Sequence, residues 1–226
     1  MTNVLVVVAH SDDEALGCGG TIAKHSANGD KVTLLVMTDG ISSRIASHCV
    51  DGGSVDKNQR LSALQKSCNV LGISQFVQGD FPDNKMDSVE LLSIVQFIEE
   101  KTKNLNPEII YTHSVDDLNI DHSLTAQAVL TAFRPLPQSS VKTILSFEVL
   151  SSTEWQFSSS QFQANWFIDI SDFYLKKVAS LQCYSEELRE FPHPRSLIAV
   201  QALAQLRGAT IGKCHAEGFQ LLRHQS

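Results

Sequence analysis

Five apolar residues, Val4-Leu5-Val6-Val7-Val8, run without a break into Ala9-His10-Ser11-Asp12-Asp13-Glu14. A run this apolar and this rich in β-branched side chains makes a strand buried on both faces, as in a parallel sheet covered by helices. Polar groups directly after such a strand lie at its carboxyl end, where open α/β sheets place their ligand crevice. Leu16-Gly17-Cys18-Gly19-Gly20-Thr21-Ile22 continues as a helix that Gly29-Asp30 closes. His10 and Asp13 therefore fall on a tight strand-to-helix turn, with Asp12 and Glu14 at the positive end of the helix dipole. One imidazole and three carboxylates within five residues are more than a turn needs to cap a helix.

The remaining chain keeps the same rhythm. Lys31 to Thr38 reads as a second buried strand ending in Asp39-Gly40, followed by a polar, Gly-rich loop over 41–54 that carries Arg44 and His48. Helical periodicity runs from Lys57 to Leu71 and stops at Gly72, and a short strand spans Gln75 to Gln78. Gly79 to Asn84 is a turn, and Ser88 to Asn104 an amphipathic helix. The strand Glu108 to Thr112 empties into a second polar knot, His113-Ser114-Val115-Asp116-Asp117-Leu118-Asn119-Ile120-Asp121-His122, and a helix follows from Ser123 to Phe133. Strands at 143–149 and 166–170, a helix capped by Ser171 or Asp172 and reaching Leu188, and a helix from Leu197 to Leu206 complete the pattern. Between the last two helices, Phe191-Pro192-His193-Pro194-Arg195-Ser196 is stiffened by two prolines. The alternation predicts an α/β fold: one domain over residues 1–226, with a Rossmann-like, mostly parallel sheet and helices on both faces.

Composition narrows the function classes. The chain has 226 residues, 42% hydrophobic and 19% charged, with a net charge of −7, which disfavours a nucleic-acid surface. No stretch approaches the ~20 apolar residues of a membrane span, and no signal peptide is visible. The five cysteines share no C-x-x-C spacing and read as reduced thiols of a cytoplasmic protein.

Both knots follow predicted parallel strands, so one crevice can hold both. Together they offer His10, Asp13 and His122, and two imidazoles with one carboxylate leave the open fourth position of a catalytic zinc. A further carboxylate is then needed as general base, and Asp12 is adjacent. At this point the residues carry a family resemblance. Ala9-His10-Ser11-Asp12-Asp13-Glu14 resembles the A-H-P-D-D-E signature of the PIG-L/LmbE-like N-deacetylases, and Asp117-x-Asn119-x-Asp121-His122 is similar to their second motif. The resemblance implies a deacetylase with one Zn2+ per chain, other divalent transition metals being possible, acting on a small molecule or glycan that carries an N-acetylated amino sugar. It implies His10, Asp13 and His122 as ligands and Asp12 as base, a division between Asp12 and Asp13 that spacing alone leaves open. Ser11 stands in place of the usual proline, and Asn119 in place of a histidine that assists the tetrahedral intermediate.

Plainer readings compete at each position. The first knot taken alone is also a good helix cap. Arg44 is either a solvated loop residue or a substrate contact at the mouth of the second strand. His113 reads as a satisfied strand-end histidine, while His193, fixed between prolines, is a candidate for the catalytic slot that Asn119 cannot fill by proton transfer. Asp117 and Asp121 are expected to orient an imidazole, and Glu217 has no assigned role. Gly17-x-Gly19-Gly20 invites a rival reading as a nucleotide-binding or methyltransferase-like protein, although G-x-G-x-x-G spacing is absent. A non-catalytic carbohydrate-binding member of the same fold is the other rival.

Overall fold

The computed structural model describes residues 1–38, 40, 57–155 and 161–226. The predicted strand is β1 (Asn3–Val8), followed by α1 (Asp13–Ala27), β2 (Lys31–Thr38), α2 (Lys57–Leu71) and β3 (Gln75–Phe81). Then come α3 (Leu91–Thr102), β4 (Ile109–His113), α4 (Ile120–Ala132), β5 (Thr143–Phe147), β6 (Trp166–Asp169), α5 (Tyr174–Gln182), α6 (Leu197–Thr210) and β7 (Ala216–His224). They build one seven-stranded sheet in the order β3-β2-β1-β4-β5-β7-β6. β1 lies inside it, parallel to β2 (Val4 opposite Val32) and to β4 (Val6 opposite Tyr111). Its alternate side chains feed two different cores. Val4, Val6 and Val8 pack with Leu16 and Ile22 of α1 and Leu64 of α2. Leu5 and Val7 pack with Ile94 and Ile98 of α3 and Val129 of α4. The unbroken apolar run is thus the signature of a strand covered on both faces, and the expected Rossmann-like, mostly parallel α/β architecture is borne out.

The chain order reverses between β1 and β4, with β2 and β3 laid to one side and β5 to the other. That switch point opens a crevice outside the strand ends. Here Thr38 donates its N–H and hydroxyl to the Ala9 carbonyl, and Ala9 donates its N–H to His113 Nε2. The ends of β1, β2 and β4 are thereby fastened together.

Several boundaries differ from the sequence reading. α4 starts at Ile120 rather than Ser123 because the Asn119 side chain accepts the N–H groups of Asp121 and His122 and caps it there. A 3-10 turn at Met86–Ser88 precedes α3, which begins at Leu91. α5 ends at Gln182, short of Leu188, and its N-cap position is Phe173. β7 was not anticipated, and both of its pairings, with β5 and β6, are antiparallel.

The glycines of α1 serve packing and not phosphate. A Cβ at Gly17 would sit 2.2 Å from the Phe147 ring, and one at Gly20 would sit 2.7 Å from Ile170, both closer than atoms can approach. The nucleotide-loop reading falls on that point, since these residues are buried inside the helix. α1 also breaks at Cys18, where φ is −146°. The N–H groups of Gly20 and Thr21 turn to the Glu217 carboxylate at 3.0 and 2.7 Å, and the Leu16 carbonyl takes the Lys177 ammonium at 2.7 Å. Lys177 and Glu217 pair with each other, both almost wholly buried, so this ion pair replaces the hydrogen bonds lost at the break. Among the described residues, no helix is long and apolar enough to cross a membrane.

Candidate metal centre and active-site crevice

His10 is delivered by the turn after β1, Asp13 by the first residue of α1, and His122 by the first turn of α4. Three of their atoms form a nearly equilateral triangle. His10 Nδ1 is 3.2 Å from His122 Nε2, and Asp13 Oδ2 is 3.3 Å from each of them. A tetrahedron about an ion with bonds of about 2.0–2.1 Å has an edge of roughly 3.3 Å, so this donor set fits a divalent ion. Asp13 and His122 are fully buried, and Asp13 Oδ1 has no hydrogen-bond partner, as fits a carboxylate shaped for a cation.

The two imidazoles present opposite nitrogens, each fixed from behind. His10 Nε2 is 3.1 Å from Asp121 Oδ2 and 3.2 Å from Asp83 Oδ1. Asp121 is itself held by the N–H groups of Asn84 and Met86. His122 Nδ1 lies 3.3 Å from both Asp117 and the Ser152 hydroxyl, and Asp117 accepts the Thr153 hydroxyl at 2.6 Å. Burial alone would make both imidazoles less basic, but the surrounding carboxylates prevail. Asp121, Asp13 and Asp83 hold His10 well above the usual histidine range, and Asp13 and Asp117 raise His122 to about 9. The pocket is electrostatically poised for positive charge. His113, in contrast, is pushed down to about 4 by burial and by the neighbouring His122. Its ring stacks on His122 at 3.9 Å and its Nε2 serves the Ala9 N–H, a packing and strand-end role.

Asp12 stands beside the triangle on a crevice of about 90 Å³ lined by His10, Ser11, Arg60, Asp83, Asn119 and Arg195, among others. Arg195 Nη1 donates to Asp12 Oδ2 at 2.9 Å, and Arg195 Nε donates to the Ser151 hydroxyl. Burial raises the Asp12 carboxyl and Arg195 pulls it back, leaving it at about 7. Asn119 lines the same crevice. Its Oδ1 is committed to capping α4, so its Nδ2 faces outward and donates to Asn84 Oδ1 at 3.2 Å. A larger cavity of about 320 Å³ adjoins the crevice and shares Ser11, Arg60 and Glu187 with it.

His193 does not line this crevice. It is exposed, and its Nδ1 accepts the Arg195 backbone N–H at 3.0 Å. The proline-stiffened turn thus projects Arg195 into the site, with His193 bracing it from behind. Sequence reading passed over Arg195 because it belongs to no motif and lies 183 residues from Asp12. The rigidity of its turn was the available signal. Asp83 and Asn84 were read only as turn residues, and Arg60 and Glu187, which pair beside the crevice, gave no signal. Arg44 and His48 lie outside the described residues.

The model of the PIG-L family, described as GlcNAc-PI de-N-acetylase, matches residues 5–133. This chain belongs to that family. The match runs from within β1 through α4, and so includes both knots. The chain is 29% identical over 140 residues to the uncharacterized deacetylase YaiS of Escherichia coli, covering 60% of this chain and 70% of that one. It is 26% identical over 236 residues to the 4-oxalmesaconate hydratase of Pseudomonas putida, covering 96% of this chain and 88% of that one. The N,N'-diacetylchitobiose deacetylase of Pyrococcus horikoshii has the same fold, with a TM-score of 0.78 at 19% identity over 97% of this chain and 83% of that one. The expected kinship with PIG-L/LmbE-like deacetylases is borne out at the level of the family.

Proposed function

We propose that this chain is a zinc-dependent hydrolase that removes the N-acetyl group from an N-acetylhexosamine conjugate, working as one catalytic unit over residues 1–226. The observation that carries the reading is the triangle of His10 Nδ1, Asp13 Oδ2 and His122 Nε2, with the Asp12 carboxylate on the same crevice. These three residues would hold one zinc per chain, and the same donors would accept other divalent transition metals. Such an ion, when bound, would polarise an amide carbonyl and lower the pKa of water toward about 7. Asp12 takes the proton of the attacking water and returns it to the leaving amine, as a base with a carboxyl near neutrality can. Arg195 keeps the Asp12 carboxylate in place. Asn119 turns its Nδ2–H toward the oxyanion, since its oxygen is occupied by the cap. Arg44 meets a hydroxyl-rich or anionic part of the substrate. The sugar ring occupies the crevice and the aglycone extends into the adjoining cavity. The thiols of Cys18, Cys68, Cys183 and Cys214 are free, in keeping with a cytoplasmic enzyme.

The hydratase relative makes addition of water across a carbon–carbon double bond the competing use of the same ion and base. Metal-loaded protein offered a panel of acetylated amino-sugar conjugates and unsaturated oxo-acids separates the two. We expect release of free amine, lost by ~10²–10⁴-fold in metal-loaded Asp12→Asn. Hydration of an oxo-acid without amine release from any conjugate would overturn the proposal.

A further inference from the structure

Asp12 has φ 114° and ψ −26°. A non-glycine residue held there is strained and persists only where its surroundings over-determine it. The surroundings can be named. The Asp12 carbonyl accepts the N–H groups of Ala15 and Leu16 at 3.0 and 2.9 Å, and its carboxylate is held by Arg195. Its own N–H goes to Glu14 Oε2 at 3.1 Å. Glu14 is fully buried and takes no part in the chemistry above. Its other oxygen accepts the hydroxyls of Tyr184 at 2.6 Å and Ser67 at 2.8 Å. Ser67 belongs to α2 and Tyr184 follows α5, so one carboxylate ties the turn to two elements outside the crevice. A capping box usually sends the acid of the third helical residue back to the cap N–H. Here the acid is the second helical residue, and its target is the N–H of the residue beside the metal ligand Asp13.

We propose that Glu14 is a positioning residue for Asp12: anchored by Ser67 and Tyr184, it clamps the residue-12 N–H and so fixes the left-handed turn that aims the Asp12 carboxylate into the crevice. The proposal rests on the reading of Asp12 as the base. The competing role for Glu14 is a buried polar brace that stabilises α1 and nothing more.

A kinetic cycle on the metal-loaded enzyme, with an N-acetylglucosamine conjugate as substrate, distinguishes them. Glu14→Ala, Glu14→Gln and Tyr184→Phe are each made in the wild type and in Asp12→Asn, with metal content and melting temperature measured beside kcat and KM. A misaimed base should cost up to about 10²-fold in kcat in Glu14→Ala, with KM and metal content unchanged, and less in Tyr184→Phe, again with metal content unchanged. Glu14→Gln can keep its amide oxygen on the Asp12 N–H and its NH2 on the two hydroxyls, so it should recover most of the loss. In Asp12→Asn none of the three should lower the residual rate further, because no base remains to be aimed. Equal fractional losses in both backgrounds, or losses that follow melting temperature or metal content, would overturn the proposal. If Glu14→Ala does not fold, Tyr184→Phe, which removes one hydroxyl and opens no cavity, decides alone. Full activity in metal-loaded Asp12→Asn would instead overturn the base reading itself, whatever the cycle gives.

Discussion

At the scale of single residues, the site works by committing one nitrogen of each imidazole to supporting groups and leaving the other to face Asp13. His10 offers Nδ1 and His122 offers Nε2, and the choice follows from which nitrogen the carboxylate behind each ring occupies. Asp121 is the stiffer support, since two backbone N–H groups from the turn after β3 hold it. The Asn84 N–H goes to Oδ2 and the Met86 N–H to Oδ1, so Asp121→Asn, with one amide oxygen, can keep only one of those two bonds and turns a weaker, neutral acceptor or an N–H toward His10 Nε2. We therefore expect metal affinity to fall ~10–100-fold in Asp121→Asn, read by competition against a chelator of known affinity. Unchanged affinity would mean that Asp83 alone orients the ring. His193 belongs to the same bookkeeping as a brace. His193→Ala removes the acceptor for the Arg195 N–H, and it should melt earlier while kcat stays within a few-fold of wild type. A large fall in kcat at unchanged stability would return His193 to the catalytic group.

Elements explain why the two knots were legible and other parts were not. β1 announced itself because a strand covered on both faces cannot carry polar alternates, and the knots followed because ligand residues gather where such strands end. α4 shows the limit. Its start depends on a hydrogen bond between the Asn119 side chain and N–H groups two and three residues on, so the second knot is half loop and half helix. That cap also decides what Asn119 offers the crevice, and the two roles can be separated. Asn119→Ser caps about as well but has no amide to extend, so the melting temperature should hold while kcat falls, by ~10²-fold or less. A variant that loses stability and keeps kcat would reduce Asn119 to a cap. β7 and Arg195 escaped the sequence reading for a different reason. Their partners, Thr143 to Phe147 for one and Asp12 for the other, lie far away in the chain, and local pattern carries no trace of them.

For the whole molecule, the informative feature is the buried pair that closes the break in α1. Lys177 and Glu217 are desolvated, so removing one partner should be worse than having neither. Lys177→Met should lower unfolding free energy by about 3–5 kcal/mol in denaturant titrations, and Lys177→Met with Glu217→Gln should recover part of that. A single variant as stable as wild type would show the pair to be dispensable. The same contact has a consequence in time. The helix that carries Asp13 and Glu14 is made well before its partner, since the carboxylate that satisfies its Gly20 N–H lies 197 residues later. At roughly 5–20 residues per second, that carboxylate emerges about 10–40 s after the helix. During that interval the growing chain carries the first knot, and later the second, while the break in α1 is still open. The turn that carries His10, Asp12 and Asp13 thus waits on β7 before its helix is complete, so the timing of this fold is set by a strand made long after the residues it steadies.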